Sequence, residues 1–281
     1  MSPSMNDFKL NAFSYMLKGE VGTRKSTAAL SFALAESNRN PKAARRQYWF
    51  SQDKKMGSIV LPSKLWGVNL VNLDYDNYKD YAAMETKLKA LQTNCPYDDI
   101  ILDSITSTGD SINMQTRELK AGTTRVDGSE KGKKIGGIEV DGLEDYKAEA
   151  AAFTEITAIL EDIKLFFNVN IIFVAHVIGT RTPEDKAQNT HFARIIVTGG
   201  KAISAKIPAY CEEVYHFNVK GAIDTSKEGE YACVTQHTGD DFARTCLPLT
   251  KEIVFNNRPL YVDFIQPAIK KLIEQKPITR F

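Results

Sequence analysis

The stretch LKGEVGTRKSTAAL, residues 17–30, places Lys-Ser six residues after a glycine. That spacing fits G-x-x-x-x-G-K-[ST], a turn whose backbone N–H groups wrap phosphates ahead of a lysine and a hydroxyl. Gly19, Lys25 and Ser26 stand in place, whereas Arg24 occupies the position of the second glycine. A phosphate loop works mainly through its backbone, helped by the lysine charge and by a hydroxyl that can ligate Mg²⁺. Arg24 keeps its N–H, so the loop is expected to function with the Arg24 backbone near helical geometry, no positive φ, and the long side chain turned outward. The expected phosphate contacts are Gly19, Glu20, Val21, Gly22, Thr23, Arg24, Lys25, Ser26 and Thr27.

The flanks give the loop its setting. FSYML (13–17) reads as a strand entering it, and STAALSFALAES (26–37), rich in alanine and leucine, as the helix leaving it. QYWFS (47–51) reads as a second strand, and KDYAAMETKLKAL (79–91) as an amphipathic helix with Tyr81, Met84, Leu88 and Leu91 on one face. DDIILDSITS (98–107) is a short apolar strand ending in Asp103 and Ser104. A strand-terminal Asp is what a phosphate loop needs as its partner, because Mg²⁺ prefers carboxylate and phosphate oxygens; Asp103 and Ser26 are the expected metal residues.

AFTEITAILEDIKLFF (152–167) places Phe153, Ile156, Leu160, Ile163 and Phe167 at helical spacing, and feeds NIIFVAHV (170–177), the near-continuous apolar run of a strand buried on both faces. EEVYHFNV (212–219), YACVTQ (231–236) and EIVFN (252–256) supply further short strands. Alternation of strands and helices predicts an α/β fold, a largely parallel central sheet with helices on both faces. One domain over 1–281 is expected, with a core of about 12–256 and a tail at 257–281.

The stretch 117–142, rich in Gly, Lys and Thr and without a sustained apolar period, reads as a long exposed loop, and 179–206 as a second Gly- and Lys-containing loop. The first carries Arg117, Lys120, Arg125, Lys131, Lys133 and Lys134 against Glu118, Asp127 and Glu130; the second adds Arg181, Lys186, Arg194, Lys201 and Lys206. Such loops either neutralise nucleic-acid phosphates without sequence preference or are simply solvated. Stacking residues are few in them, Phe192 and His191 apart.

The whole chain has a net charge of +1, so polyanion binding would have to come from this local clustering. With 281 residues, 43% of them hydrophobic, the chain can bury a sizeable core. Cys95, Cys211, Cys233 and Cys246 are scattered without C-x-x-C pairing, which argues against structural zinc and a disulfide framework and suggests reduced thiols. The N-terminus lacks the apolar core of a signal peptide, and IIFVAHVI (171–178) falls short of a membrane span, so a soluble cytoplasmic protein with no membrane partner is expected.

The loop at Gly19–Ser26, the IILDS strand, the helix running into IIFVAHV, GGKAISAKIP and FARTCLP follow the order seen in phage RecA-like P-loop ATPases, a family that includes single-strand-annealing recombinases, and the chain resembles that family over roughly 12–256. The resemblance implies ATP and Mg²⁺ as ligands and a ring or filament of identical subunits in the host cytoplasm. It also implies single-stranded DNA at the two loops, with a single-strand-binding or replication protein as a further partner. Asp53 falls where the family places the carboxylate that activates water, though in SQDKK it also reads as a solvated charge. His176 falls at the residue that senses the terminal phosphate, or is a satisfied core histidine. Arg244 matches the first of two basic residues that reach a neighbouring subunit's nucleotide; Cys246 replaces the second. Two other readings stay open: a nucleotide-binding adaptor or motor component with protein partners and little hydrolysis, and a small-molecule kinase. The arginine-rich lid expected of a kinase is not seen in these lysine- and glycine-rich loops.

Overall fold

The computed structural model describes residues 12–51, 56–78, 80–120, 133–135, 138–140, 143–180, 193–196, 206–221, 229–237 and 242–274, and within 117–146 and 179–205 the backbone alone. In chain order the elements are β1 (Ser14–Gly19), α1 (Lys25–Leu30), β2 (Gln47–Ser51), α2 (Gly57–Trp66), β3 (Leu73–Asp76), α3 (Tyr81–Thr93), β4 (Asp99–Asp103), α4 (Ile105–Lys120), β5 (Lys133–Ile135), β6 (Ile138–Val140), α5 (Leu143–Phe167), β7 (Asn170–Thr180), β8 (Ala193–Ile196), β9 (Glu213–Lys220), β10 (Glu230–Val234), β11 (Glu252–Val254) and α6 (Gln266–Glu274). The main sheet runs β11-β10-β9-β1-β7-β4-β2-β3, with β8 pairing β7. From β9 to β3 every pairing is parallel, while β10, β11 and β8 join antiparallel. The fold is α/β with a mostly parallel sheet, as the alternation predicts.

Side-chain alternation along the strands sorts the core into two layers. Met16, Tyr48, Phe50, Leu102, Phe173 and Ala175 face α3, α4 and α5. Tyr15, Leu17, Trp49, Ile101, Ile172 and Val174 face α1, α2 and α6. Met84, Leu88 and Leu91 of α3 and Phe153, Ile156, Leu160 and Ile163 of α5 are buried as their spacing predicts, with Tyr81 and Phe167 half-buried at the margin. Asp80 starts α3 by accepting the Ala83 N–H at 2.7 Å, a side-chain cap for a donor that the helix cannot satisfy.

Several expectations need correction. The helix after the Gly19–Ser26 loop stops at Leu30 and tightens into a 3₁₀ turn, Ser31–Leu34. Ser31 explains the change: its hydroxyl donates back to the Ala28 carbonyl at 2.6 Å and accepts the Tyr261 N–H at 2.9 Å. The stretch 117–142 is not wholly loop. Residues 117–120 end α4, β5 and β6 pair antiparallel, and α5 begins at Leu143, nine residues ahead of the expected start at 152. In 179–206 the backbone pairs β8 with β7, Gly179 opposite Arg194. Three elements have no clear signal in the sequence: α2, β3 at the sheet edge, and α6 in the tail. Among the described residues, no helix is long and apolar enough to cross a membrane.

Candidate nucleotide site

Three neighbouring parallel strands, β1, β7 and β4, bring Gly19 at the end of β1, Asp103 at the end of β4 and His176, four residues before the end of β7, to one side of the sheet. Gly19 pairs in register with His176. This is the carboxyl end of a parallel sheet, where α/β folds bind ligands. A cleft of about 390 Å³ opens at this point, lined by residues 21–27 of the loop with Ser58, Asp103 and His176, a size within the range of small-molecule sites.

The loop's two glycines act for different reasons. A Cβ on Gly19 would lie 2.5 Å from the Phe217 carbonyl oxygen, so glycine is what lets β9 approach. Gly22 sits at φ +82°, the left-handed region that side chains disfavour. Lys25 is buried, and its Nζ donates to the carbonyls of Gly19 at 2.9 Å and Glu20 at 2.6 Å. The Thr23 hydroxyl donates to the same Glu20 carbonyl at 2.8 Å. The loop is therefore braced by its own lysine and threonine.

Arg24 departs from expectation in one respect and meets it in another. Its backbone is left-handed, φ 64° and ψ 27°, so a positive φ is required after all, the conformation a glycine would adopt freely. Its side chain does point out of the loop: Nη1 donates to Asn256 O at 2.8 Å and Asn257 Oδ1 at 2.6 Å, and Cζ lies 3.7 Å from the centre of the Tyr231 ring.

Thr27 donates its hydroxyl to the Ser58 carbonyl at 3.3 Å. Pro62, inside α2 and four residues after Ser58, has no N–H for that carbonyl, which explains why it is open to a donor from α1. Ser58 thus reaches the cleft wall through α2, an element that no motif announces.

The donor set fits a nucleoside polyphosphate and a divalent cation. Lys25, Ser26, Ser58 and His176 line the cleft together with the buried Asp103, the one carboxylate-bearing residue among the described lining. Ser26 and Asp103 would supply two oxygen ligands to Mg²⁺ and leave the rest to phosphate and water, as that ion prefers. No described group of three His, Cys, Asp or Glu side chains forms a closed metal cage.

Other expected site residues lie elsewhere. Arg244 is exposed, away from the cleft lining, and its Nη2 donates to the carbonyls of Pro208, Ala209 and Cys211, while its backbone bridges Val214. Beside it, the buried Glu213 carboxylate accepts from Tyr215 Oη at 2.6 Å, Thr245 Oγ1 at 2.6 Å and the Cys246 N–H and Sγ, each at 2.9 Å. The FARTCLP stretch is thereby fastened to β9. Asp53, Arg125, Lys131, Arg181 and Lys201 lie outside the described residues. Arg117 and Lys120 fall on α4, Lys133 and Lys134 on β5, and Arg194 on β8, positions at which only the backbone is described. Lys206 is exposed ahead of the 3₁₀ turn Ile207–Tyr210.

No protein-family model and no curated protein matches the chain. Among solved structures it is similar to the crystal structure of the RadB recombinase, at 13% identity and a TM-score of 0.49, with 87% of this chain and 86% of that chain covered.

Proposed function

We propose that this chain is a RecA-like P-loop ATPase, one domain over its 281 residues, that binds ATP with Mg²⁺ and acts on single-stranded DNA in phage recombination, annealing or repair. The observation that carries the reading is the convergence of the loop at 21–27, Asp103 and His176 on one cleft at the carboxyl end of the sheet. Lys25 supplies a fixed positive charge to the terminal phosphates, and the loop N–H groups orient them. Ser26 and Asp103 would hold Mg²⁺, which when bound would supply charge neutralisation at the phosphates. Asp53, which follows β2 beyond Ser51, accepts the proton of the attacking water or orients it. His176 touches the terminal phosphate and lies on β7, so the state of the nucleotide can pass along that strand to β8, which pairs with its end.

Arg117, Lys120, Arg125, Lys131, Lys133, Lys134, Arg181, Arg194, Lys201 and Lys206 then meet DNA phosphates, and Arg244 faces a neighbouring subunit in a ring or filament. The test is ATP turnover with and without single-stranded DNA, joined to fluorescence anisotropy with a labelled oligonucleotide over a salt series. Turnover should rise with DNA, and Lys131, Lys133 and Lys134 changed together to Ala should flatten the salt dependence by about 0.7 in log–log slope for each phosphate that is no longer neutralised. If the wild type binds ATP but no DNA at low salt in any nucleotide state, the adaptor reading replaces this one.

A further inference from the structure

We infer that Arg24 is the positioning residue of the phosphate loop, and that through it the nucleotide site depends on the turn at Asn256–Asn257. The inference rests on the phosphate-loop reading and adds a regulatory contact outside the cleft. A residue other than glycine in the left-handed region is disfavoured by roughly tenfold in population, so the conformation at 24 needs something to hold it. The side chain provides the hold. Its guanidinium is stacked on Tyr231 and donates two hydrogen bonds to the turn, from one nitrogen to Asn256 O and Asn257 Oδ1.

The turn itself is braced. Asn256, at φ 43°, accepts the Tyr231 N–H on its Oδ1 at 2.8 Å, and Trp66 Nε1 donates to Asn257 O at 3.1 Å. The clamp therefore ties β10, the end of α2 and the turn after β11 to the first residue before α1. Tyr231, Asn256 and Asn257 are absent from the cleft lining, and among the described residues Arg24 is the cleft-lining residue whose side chain they hold. Coupling of this kind is reciprocal: a ligand that fixes the loop steadies the turn, and anything that displaces the turn loosens the loop.

The side-chain chemistry is specific. A lysine has one compact charge and no planar face to lay on Tyr231, so it cannot reproduce the clamp. Glycine needs no clamp, because it adopts the left-handed backbone without help. Alanine has neither advantage.

The test uses the full chain with MgATP as probe and compares Arg24→Ala, Arg24→Gly, Arg24→Lys and Asn257→Ala. Without nucleotide, the melting temperature should fall further for Arg24→Ala than for Arg24→Gly. MgATP affinity should drop about tenfold for Arg24→Ala, as expected when the competent loop is a minor population. Arg24→Gly should regain most of that affinity, Arg24→Lys should resemble Arg24→Ala, and Asn257→Ala should weaken binding several-fold without altering any cleft residue.

If Arg24→Lys matches the wild type while Arg24→Gly is as weak as Arg24→Ala, the charge acts on the nucleotide directly and the inference fails. It also fails if all four variants bind like the wild type. A wild type that does not bind MgATP overturns the phosphate-loop reading itself, and the melting order of Ala against Gly still decides whether Arg24 holds the loop.

Discussion

Replacing Gly19 by alanine puts a methyl group 2.5 Å from the Phe217 carbonyl oxygen and 2.9 Å from Thr23 Oγ1. Neither atom can yield cheaply. The Phe217 oxygen belongs to the backbone of β9, whose residue 217 is the register partner of Gly19, and the Thr23 hydroxyl is held by Glu20 O. Ordinary carbon–oxygen contacts are about 3.3 Å or longer, so strand or loop must move by about 0.8 Å. Overpacking of this kind costs about 1–3 kcal/mol. At about 2–4 °C per kcal/mol for a chain of this size, the melting temperature falls by about 6 °C in the middle of the range.

Two other glycines serve as internal standards. Gly22→Ala meets nothing within 4 Å but must hold φ +82°, so it loses about 1–2 kcal/mol through backbone strain alone. Gly57→Ala, in open space at the start of α2 and without a positive φ, should gain about 0.5 kcal/mol by restricting the unfolded chain. Thermal unfolding followed by circular dichroism reads all three. Gly19→Ala melting within about 1 °C of the wild type would refute the close approach of β9 to the loop.

Two further outcomes follow from the buried carboxylates of Asp99 and Glu213. Arg45→Met should destabilise the fold by about 3–5 kcal/mol in denaturant titration, because it leaves the Asp99 carboxylate, fully buried and bound by Arg45 at 2.6 and 2.8 Å, without its cation and with Gln47 and Asn170 as its side-chain donors among the described residues; a change under about 1 kcal/mol would contradict this. Burial first, and then the hydrogen bond to Glu213 and that carboxylate's charge, push the Cys246 thiol up to about 12. Because the folded value is raised, the contribution is fully present below the ordinary thiol value of 9.0 and is lost as the pH climbs toward 12, so alkylation of Cys246 at pH 8 should be far slower than that of a free cysteine. Equal rates would refute the Cys246–Glu213 contact.

How much of this is legible in the sequence differs element by element, for physical reasons. QYWFS (47–51) and the apolar run from Asn170 announce themselves because strands buried on both faces are apolar through most of their length. The loop at 19–26 is visible because its glycine, lysine and serine match a motif of fixed spacing, and Asp103 because it ends an apolar strand. α2 is hidden by Gly57 and Pro62, which read as breakers, although Pro62 is what leaves the Ser58 carbonyl open to Thr27. β3, LDYD, lies at the sheet edge, half-buried throughout, and alternates too weakly to stand out. α6 has an apolar stripe of Ala268, Ile269 and Leu272 in a stretch that reads as a tail.

The conformation of Arg24 is the least legible feature. Its left-handed backbone is fixed by Tyr231 and by Asn256–Asn257, more than 200 residues away, and no local pattern encodes such a partner. Arg244 carries a similar lesson, since its bonds to Pro208, Ala209 and Cys211 come from a distant turn.

The central claim is that the loop at 19–27 binds a nucleoside triphosphate, and calorimetric titration of MgATP into the wild type and Lys25→Ala tests it most directly. Lys25 is buried, its Nζ bonded to the Gly19 and Glu20 carbonyls, and it lines the cleft. A charged hydrogen bond is worth about 1.5–3 kcal/mol, so removing the lysine's bonds to phosphate should weaken binding by a hundredfold or so. The account predicts saturable one-to-one binding by the wild type and little or none by a Lys25→Ala variant that keeps the wild-type circular dichroism spectrum. Unchanged affinity in that folded variant, or no binding by the wild type, would contradict it.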